Sequence, residues 1–295
     1  MVKKKRILVT GAAGKVGKVV VKDLISHGYD VFAVDRDFKE EPDIPYMTAE
    51  LTDFGETLDA LSSIGEDVYG RAEMKAFDAI VHLASIPHPR EYSDAETFSN
   101  NMVATYNVFE AAKRLSINNI VWSSSETLLG IPFDQSAIES VPVKEDVKKL
   151  GSSTYAITKV LGEELAEQFC LHNPDMKIAC LRLSNVMEEE DYKQFPSYNE
   201  DPTKRLWNLW SYIDVRDAAQ AIRKAIETEF KGMDTFIITN DNTVMEKPSE
   251  QLVREYYPNL KITGELTENQ TLLSNEKAKR ILGYKPQYDW RNFVK

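Results

Sequence analysis

Short apolar runs alternate with amphipathic stretches through the first 185 residues of the chain. The runs R-I-L-V-T (6–10), V-F-A-V-D (31–35), A-I-V-H-L (79–83), N-I-V-W-S-S (119–124) and K-I-A-C-L-R-L (177–183) lack the polar alternation of a half-exposed strand. Each therefore predicts a strand covered on both faces. Between them Val16, Val20 and Leu24 recur at helical spacing, and helical patterns run near 95–115 and from about 153 to 172. This alternation predicts an α/β fold, a doubly wound parallel sheet with helices on both faces.

The texture changes beyond residue 185. Segment 188–206 is polar, charged and aromatic, carries Pro196 and Pro202, and reads as a loop-rich excursion. A helical pattern returns at 215–228 and a strand at 236–240, and the tail holds short helices and turns punctuated by Pro248, Pro258 and Pro286. The expected organisation is a first domain over 1–186, which also receives segments near 213–240. Beside it stands a small, partly interleaved C-terminal lobe made mainly of 187–295.

Composition narrows the function classes. With 42% hydrophobic and 28% charged residues, the 295-residue chain has the make-up of a soluble globular protein. A formal net charge of -11 argues against nucleic acid or an acidic membrane as partner. The basic run Lys3-Lys4-Lys5-Arg6 directly precedes the first strand and reads as its solvated entrance. No apolar run is long enough to span a bilayer, and the N-terminal run breaks at Thr10-Gly11 too soon for a secretory signal. Cys170 and Cys180 stand in apolar surroundings without metal-ligand spacing. They predict buried thiols, no metal site and a reducing compartment, the cytoplasm.

Candidate chemistry begins at the first strand-to-helix turn, T-G-A-A-G-K-V-G (10–17). Glycines there let the backbone approach a pyrophosphate that faces the N-terminus of the next helix. Gly11, Ala13, Gly14, Lys15, Val16 and Gly17 are the expected contacts. Asp35 ends the second strand, where a carboxylate accepts hydrogen bonds from the adenosine ribose and repels a 2'-phosphate, favouring NAD over NADP. Arg36 complicates that choice, because it can stack on adenine or pair with a phosphate. Glu50-Leu51, after the third strand, are placed for the adenine edge, although a solvated strand end accounts equally well for Glu50. Residues 1–186 are accordingly read as the dinucleotide-binding domain and 187–295 mainly as the substrate-binding lobe.

The stretch S-S-T-Y-A-I-T-K (152–159) sets Tyr155 and Lys159 one helical turn apart, a spacing at which an ammonium can draw down a tyrosine pKa. A second copy, Tyr257 and Lys261, encloses Pro258 and reads as a surface coincidence. The glycine spacing and the first Tyr/Lys pair join further blocks in order: V-H-L-A-S (81–85), N-M-V-A-T-Y-N-V-F-E-A-A (101–112), V-W-S-S-S-E-T-L-L-G (121–130), L-R-L-S-N-V (181–186) and K-A-K-R-I-L-G-Y-K-P (277–286). Together they resemble the extended short-chain dehydrogenase/reductase family, the NAD-dependent epimerase/dehydratase group, over nearly the whole chain. The resemblance implies a Rossmann-like sheet, NAD as cofactor, and a homodimer through the helices near 95–115 and 153–172. It assigns Ser125 to holding the substrate oxygen, Tyr155 to acid/base work, Lys159 to the nicotinamide ribose and Asn101 to a proton-relay water. Leu83, Ala84, Ser85 and Ser123 fall along the cofactor.

Departures from the family pattern bear on the reaction. Dehydratases of the group carry Thr-Asp-Glu where this chain has Ser125-Glu126-Thr127, so a 4,6-dehydratase lacks one carboxylate here; Glu126 reads first as a structural carboxylate near the strand end. Epimerases of nucleotide sugars usually carry a tyrosine where Leu129 stands, and a basic residue where aromatics precede Y-I-D-V-R-D (212–217), with Lys204 and Arg205 as possible substitutes. The short C-terminal part resembles enzymes that oxidise free sugars or sugar acids. Pro87, His88, Glu126, Asn185, Trp207 and Trp210 are candidate substrate residues. Trp207, Trp210 and Tyr212 form either a sugar-stacking wall or core packing. The leading reading is an NAD-dependent oxidoreductase or epimerase acting on a small, sugar-like secondary or anomeric hydroxyl. A nucleotide-sugar epimerase with tightly bound NAD and a noncatalytic NAD-binding sensor or scaffold are the alternatives.

Overall fold

The computed structural model describes residues 4–62, 77–87, 92–133 and 138–294. In chain order β1 (Arg6–Thr10), α1 (Lys15–Ser26), β2 (Asp30–Asp35), β3 (Tyr46–Thr48), α2 (Phe54–Leu61), β4 (Ala79–His82), α3 (Asp94–Arg114) and β5 (Asn119–Ser125) come first. β6 (Ser140–Val141), α4 (Thr154–His172), β7 (Lys177–Leu183), β8 (Val186–Met187) and α5 (Phe195–Glu200) follow. The chain ends with β9 (Ile213–Asp214), α6 (Val215–Glu227), β10 (Gly232–Ile238), α7 (Ser249–Tyr256), β11 (Lys261–Ile262) and α8 (Glu276–Leu282).

One seven-stranded sheet has the order β10-β7-β5-β4-β1-β2-β3. β1 pairs in parallel with β2 and β4, β2 with β3, and β4 with β5. This is the doubly wound arrangement the apolar runs predict, since β1, β4 and β7 are buried along their whole length. The chain runs outward one way from β1 through β2 to β3, then returns to lay β4 on the other side. The carboxyl ends of β1 and β4 thus mark the switch point, where sheets of this kind bind ligands. Two short parallel pairs, β6 with β11 and β8 with β9, stand apart from the sheet.

The described residues divide into two compact units. The first takes Met1–Ser123, Leu161–Cys180 and Ala225–Asp234. Its core gathers Leu8, Val34, Ile80, Val108, Phe109, Ile120, Trp122 and Ile178. Lys177 helps close it by donating to the carbonyls of Ala225 and Thr228, each at 2.7 Å, at the C-terminal end of α6. The second unit takes Ser124–Val160, Leu181–Lys224 and Thr235–Lys295. Its core is richer in aromatics, with Tyr192, Phe195, Trp210, Tyr212, Tyr257 and Trp290 among Leu128, Leu129, Val141 and Leu252.

Segment 188–206 is more regular than its polarity predicts. It folds into 3-10 turns at Glu189–Gln194 and Pro202–Asn208 around α5. Local caps account for this: Asp191 accepts from the Glu188 amide at 2.8 Å and Asp201 from the Thr203 amide at 3.1 Å, and Pro196 and Pro202 occupy opening positions where no amide donor is needed. The strand expected at 236–240 begins earlier and stops at Ile238.

Packing inside the first unit leaves a position of α4 without room. A Cβ built on Gly162 of α4 would come within 2.4 Å of Cη2 and 2.5 Å of Cζ2 of the Trp122 indole. That rigid ring lies in the core and is only 2% exposed, so it has little freedom to give way. Gly162→Ala is expected to lower the unfolding free energy by about 1–3 kcal/mol through overpacking, against at most ~1 kcal/mol regained from helix propensity. Urea denaturation at fixed pH checks this, and a stability equal to or above wild type refutes it.

Candidate functional site

The glycine turn is built by close backbone contact. Gly11 has φ +68°, and a Cβ on it would meet the Ala84 amide nitrogen at 2.7 Å and the Leu83 carbonyl carbon at 2.9 Å. A Cβ on Gly17 would fall 2.0 Å from the Gly11 carbonyl oxygen. The Gly14 amide donates to that same oxygen at 3.1 Å, and Gly14 caps α1. The turn therefore sits against the segment leaving β4, at the switch point. The first turn of α1 contains Lys15 and Val16 and no acidic residue, a composition that suits an anion at the helix N-terminus. Asp35 accepts from the Ala13 amide at 2.9 Å and from the Arg36 amide at 2.8 Å. This carboxylate is locked to the glycine turn and keeps lone pairs for further donors. The Arg36 guanidinium instead donates to the Tyr92 hydroxyl and lies 5.4 Å from that ring.

Other predicted residues of the first unit have defined jobs. One Glu50 carboxylate oxygen accepts from the Thr52 amide at 3.0 Å and its hydroxyl at 2.9 Å. Leu51 is buried, with its carbonyl accepting from Asn107 at 2.9 Å. Asn101 clamps the loop after β4: its Oδ1 accepts from the Ile86 amide at 2.7 Å, and its Nδ2 donates to the Ile86 carbonyl at 3.1 Å. Leu83, Ala84, Ser85 and Ser123 are half-buried and Pro87 is exposed. His88 lies outside the described residues.

In the second unit the structure brings together Ser125, Glu126, Tyr155, Lys159 and Asn185. Ser125 opens a 3-10 turn at Glu126–Leu128, where its Oγ accepts from the Thr127 amide at 3.2 Å and the Thr127 hydroxyl at 3.0 Å. Ser125 also hydrogen-bonds Tyr155. Lys159 is buried, with its ammonium 5.3 Å from the Tyr155 ring centroid. Glu126, 3% exposed, accepts from the Ser184 hydroxyl at 2.6 Å and from Asn208 Nδ2 at 3.2 Å. The Asn185 amide also bonds it. Arg205, itself buried, donates to Asn185 Oδ1 at 2.6 Å and to the Ser211 carbonyl at 2.7 Å. Ser184 and Asn208 carried no signal in the sequence beyond the place of Ser184 in the L-R-L-S-N-V block. Only the folded turn reveals that both face a carboxylate.

Burial dominates the electrostatics of this group. It pushes the Tyr155 pKa up to about 12; the hydrogen bond to Ser125 opposes the shift and the Glu126 charge adds to it. In the chain alone desolvation therefore sets the direction of the Tyr155 shift. Burial likewise pushes Glu126 up to about 7, opposed by Ser184, Asn208, Arg205 and the Asn185 amide.

The aromatic candidates separate. Trp210 is fully buried, donates its indole N–H to the Pro202 carbonyl at 2.9 Å and belongs to the core with Tyr212. Trp207 is half-buried, with the Arg205 guanidinium 5.0 Å from its ring. Leu209 and Trp210 take left-handed φ values of 54° and 56°. Such strain is held only by surrounding packing, and here it shapes the turn that carries Arg205 and Asn208. Tyr257 is not at the surface as expected: it is buried, its hydroxyl donates to the Leu206 carbonyl at 2.7 Å, and Lys261 lies beyond its helix, in β11.

Among the described residues no group of three or more His, Cys, Asp or Glu is placed to hold a metal ion, and no helix is long and apolar enough to cross a membrane. Cys170 and Cys180 are both buried.

The chain is similar to a UDP-glucose 4-epimerase from Pisum sativum, at 28% identity over 220 residues, covering 70% of this chain and 59% of that protein. It thus spans about three fifths of the length of that relative. It is also similar to an L-arabinose 1-dehydrogenase (NAD(P)(+)) from Haloferax volcanii, at 26% identity over 229 residues, covering 75% of this chain and 82% of that one. Its fold matches the crystal structure of uronate dehydrogenase from Agrobacterium tumefaciens with a TM-score of 0.68 and 20% identity, covering 98% of this chain and 87% of that one. The sequence model of the NAD dependent epimerase/dehydratase family matches residues 7–238, well over half of the chain, and the protein belongs to that family.

Proposed function

We propose that the chain is an NAD-dependent oxidoreductase or epimerase that acts on a sugar-like secondary or anomeric hydroxyl. The observation that carries this reading is the grouping of Ser125, Tyr155 and Lys159 in a chain that also holds Asp35 against a glycine turn. The turn fits a dinucleotide: its glycines are demanded by backbone contact, and the helix it opens presents amides with no acidic residue in the first turn. Gly11, Ala13, Gly14 and Gly17 would hold the pyrophosphate and Asp35 the adenosine ribose, with residues 1–186 as the cofactor-binding domain and 187–295 mainly serving the substrate. When bound, NAD supplies a hydride acceptor and a positive ring.

The chain's own residues handle the proton. Ser125 and Tyr155 share a hydrogen bond and so offer two hydroxyls to one substrate oxygen. Tyr155 takes the hydroxyl proton in oxidation and returns it in reduction, and Lys159 is the cation that favours its ionised form. Because burial alone leaves Tyr155 protonated, its work as a base depends on added positive charge beside it.

The contacts of Arg205 and Asn185 favour a free sugar or sugar acid over a nucleotide sugar. Arg205 donates through Nη1 to Asn185 Oδ1 at 2.6 Å and through Nη2 to the Ser211 carbonyl at 2.7 Å, which ties two of its three nitrogens to the chain and leaves Nε without a hydrogen-bond partner. The Haloferax volcanii relative, a dehydrogenase of a free sugar, supports the same side. A nucleotide-sugar epimerase is the second reading, favoured by the Pisum sativum relative. We also propose a homodimer working in the cytoplasm. Phe98, Val103 and Tyr106 on α3 and Ile157 and Leu161 on α4 are each more than a third exposed, where a second copy would cover them.

Incubation with NAD and a panel of free and nucleotide-linked sugars, read as NADH absorbance and as epimer formation, tests the activity; NAD binding with neither product refutes it. Tyr155→Phe is expected to keep NAD affinity and lose turnover by about 100-fold or more, and unchanged turnover would sink the acid/base assignment. Light scattering should report a dimer for the wild type and a monomer for Phe98→Glu/Tyr106→Glu. A wild-type monomer across the micromolar range counts against the dimer.

A further inference from the structure

Two buried asparagines, Asn101 and Asn107, stand on α3, and both grip loops outside it. Asparagine is a weak helix former, and an amide taken out of water costs free energy unless its groups are bonded. Asn101 holds Ile86 in the loop after β4. Asn107 holds the loop after β3, donating through Nδ2 to the Leu51 carbonyl at 2.9 Å and to the Thr52 carbonyl at 3.2 Å. The Leu51 carbonyl also accepts from the buried Thr57 hydroxyl of α2 at 3.0 Å. Side chains from two helices thus converge on one carbonyl and use both of its lone pairs. Carbonyls of a surface loop can be left to water, so a buried amide and a buried hydroxyl spent on them restrain the loop beyond what solvation requires. The loop is also tied to the end of β2, because the Ala49 amide donates to the Asp35 carbonyl at 3.0 Å.

We propose that Asn107, seconded by Thr57, is a positioning residue for the adenosine end of the cofactor: it holds the loop over residues 50–52 in the register at which that loop meets the base. The placement follows from Asp35. Its carboxylate is locked to the glycine turn through the Ala13 amide, and its backbone is locked to Ala49. An adenosine whose ribose is held by that carboxylate therefore has this loop as its neighbour. Glu50 Oε1 accepts the Thr52 amide and hydroxyl, which orients the carboxylate and leaves Oε2 as an acceptor suited to the amino group of adenine. That orientation depends on Thr52, and Thr52 stays in place through the carbonyls that Asn107 holds. The inference rests on the dinucleotide reading of the glycine turn given above and adds to it the buried groups that set selection for the base.

The test compares two dinucleotides that differ only in the base: NAD, and nicotinamide hypoxanthine dinucleotide, which carries a carbonyl where adenine carries its amino group. Calorimetric titration of the full chain gives a dissociation constant for each. Wild type is expected to favour NAD by about tenfold, the scale of one hydrogen bond to a charged group. In Asn107→Ala that preference is expected to fall toward parity, through weaker binding of NAD and little change for the analogue. A variant that is merely less stable keeps the wild-type ratio, because a loss of folded protein weakens both ligands alike. An unchanged ratio therefore overturns the proposal, and so does a wild type that binds the two dinucleotides equally. If Asn107→Ala does not fold, Thr57→Val, which keeps the volume and loses the hydroxyl, should move the ratio in the same direction, and no movement overturns the proposal. A wild type that binds neither dinucleotide would instead sink the NAD reading, and this inference with it.

Discussion

The constraint on which the glycine turn depends is the contact of the Gly11 backbone with the segment leaving β4. At 2.7 Å from a Cβ position to the Ala84 nitrogen, no side chain fits at residue 11, and its positive φ disfavours any other residue as well. Gly17 then packs directly beneath the Gly11 carbonyl, which sets where α1 begins. These contacts exist because the chain reverses at β1 and lays β4 beside it. The sheet order thus dictates the glycines, and the glycines leave amides and a helix end facing outward at the switch point. Asp35 adds a carboxylate tied to the same turn through the Ala13 amide.

The second unit obeys a different constraint, the cost of burying charge. A carboxylate and a guanidinium inside protein cost free energy that hydrogen-bond partners offset. Glu126 receives the Ser184 hydroxyl, the Asn208 amide and the Asn185 backbone; Arg205 donates through Nη1 to Asn185 and through Nη2 to Ser211, and its buried Nε has no hydrogen-bond partner. Holding these groups in register requires the turn over Pro202–Asn208 to close with two left-handed residues, Leu209 and Trp210. The fully buried Trp210 anchors that turn in the aromatic core. Core packing in this unit is therefore what positions its polar cluster, and Trp210 contributes to the site as an anchor rather than as a wall.

The fold could be read from the sequence because strands buried on both faces leave unbroken apolar runs, and the glycine turn because backbone contact restricts residue choice. The Tyr155/Lys159 pair was visible through helical spacing. What stayed hidden depends on tertiary placement. Nothing in W-N-L-W marks Asn208 as a donor to Glu126, and nothing in N-N-M marks Asn101 as a clamp on Ile86. The short helices of 188–206 were hidden for another reason: their caps are single Asp, Glu and Pro residues that look like loop punctuation until a turn closes on them. The burial of Tyr155 stayed hidden too, because lysine spacing can be read from a sequence and desolvation cannot.

The two tyrosines that share the Tyr-x-x-x-Lys spacing show what distinguishes an acid from a packing element. Burial pushes both up to about 12. For Tyr257 burial is the whole account, and its hydroxyl is spent on the Leu206 carbonyl, an acceptor whose state never changes. Tyr155 answers to neighbours that pull in opposite directions, Ser125 downward and Glu126 upward, and one of those neighbours can itself gain or lose a proton near neutrality. A hydroxyl bonded to a fixed carbonyl has one stable state under physiological conditions. Tyr155 has the buried Lys159 ammonium 5.3 Å from its ring, so its proton affinity responds to charge beside it in a way that a hydroxyl bonded to a fixed carbonyl does not.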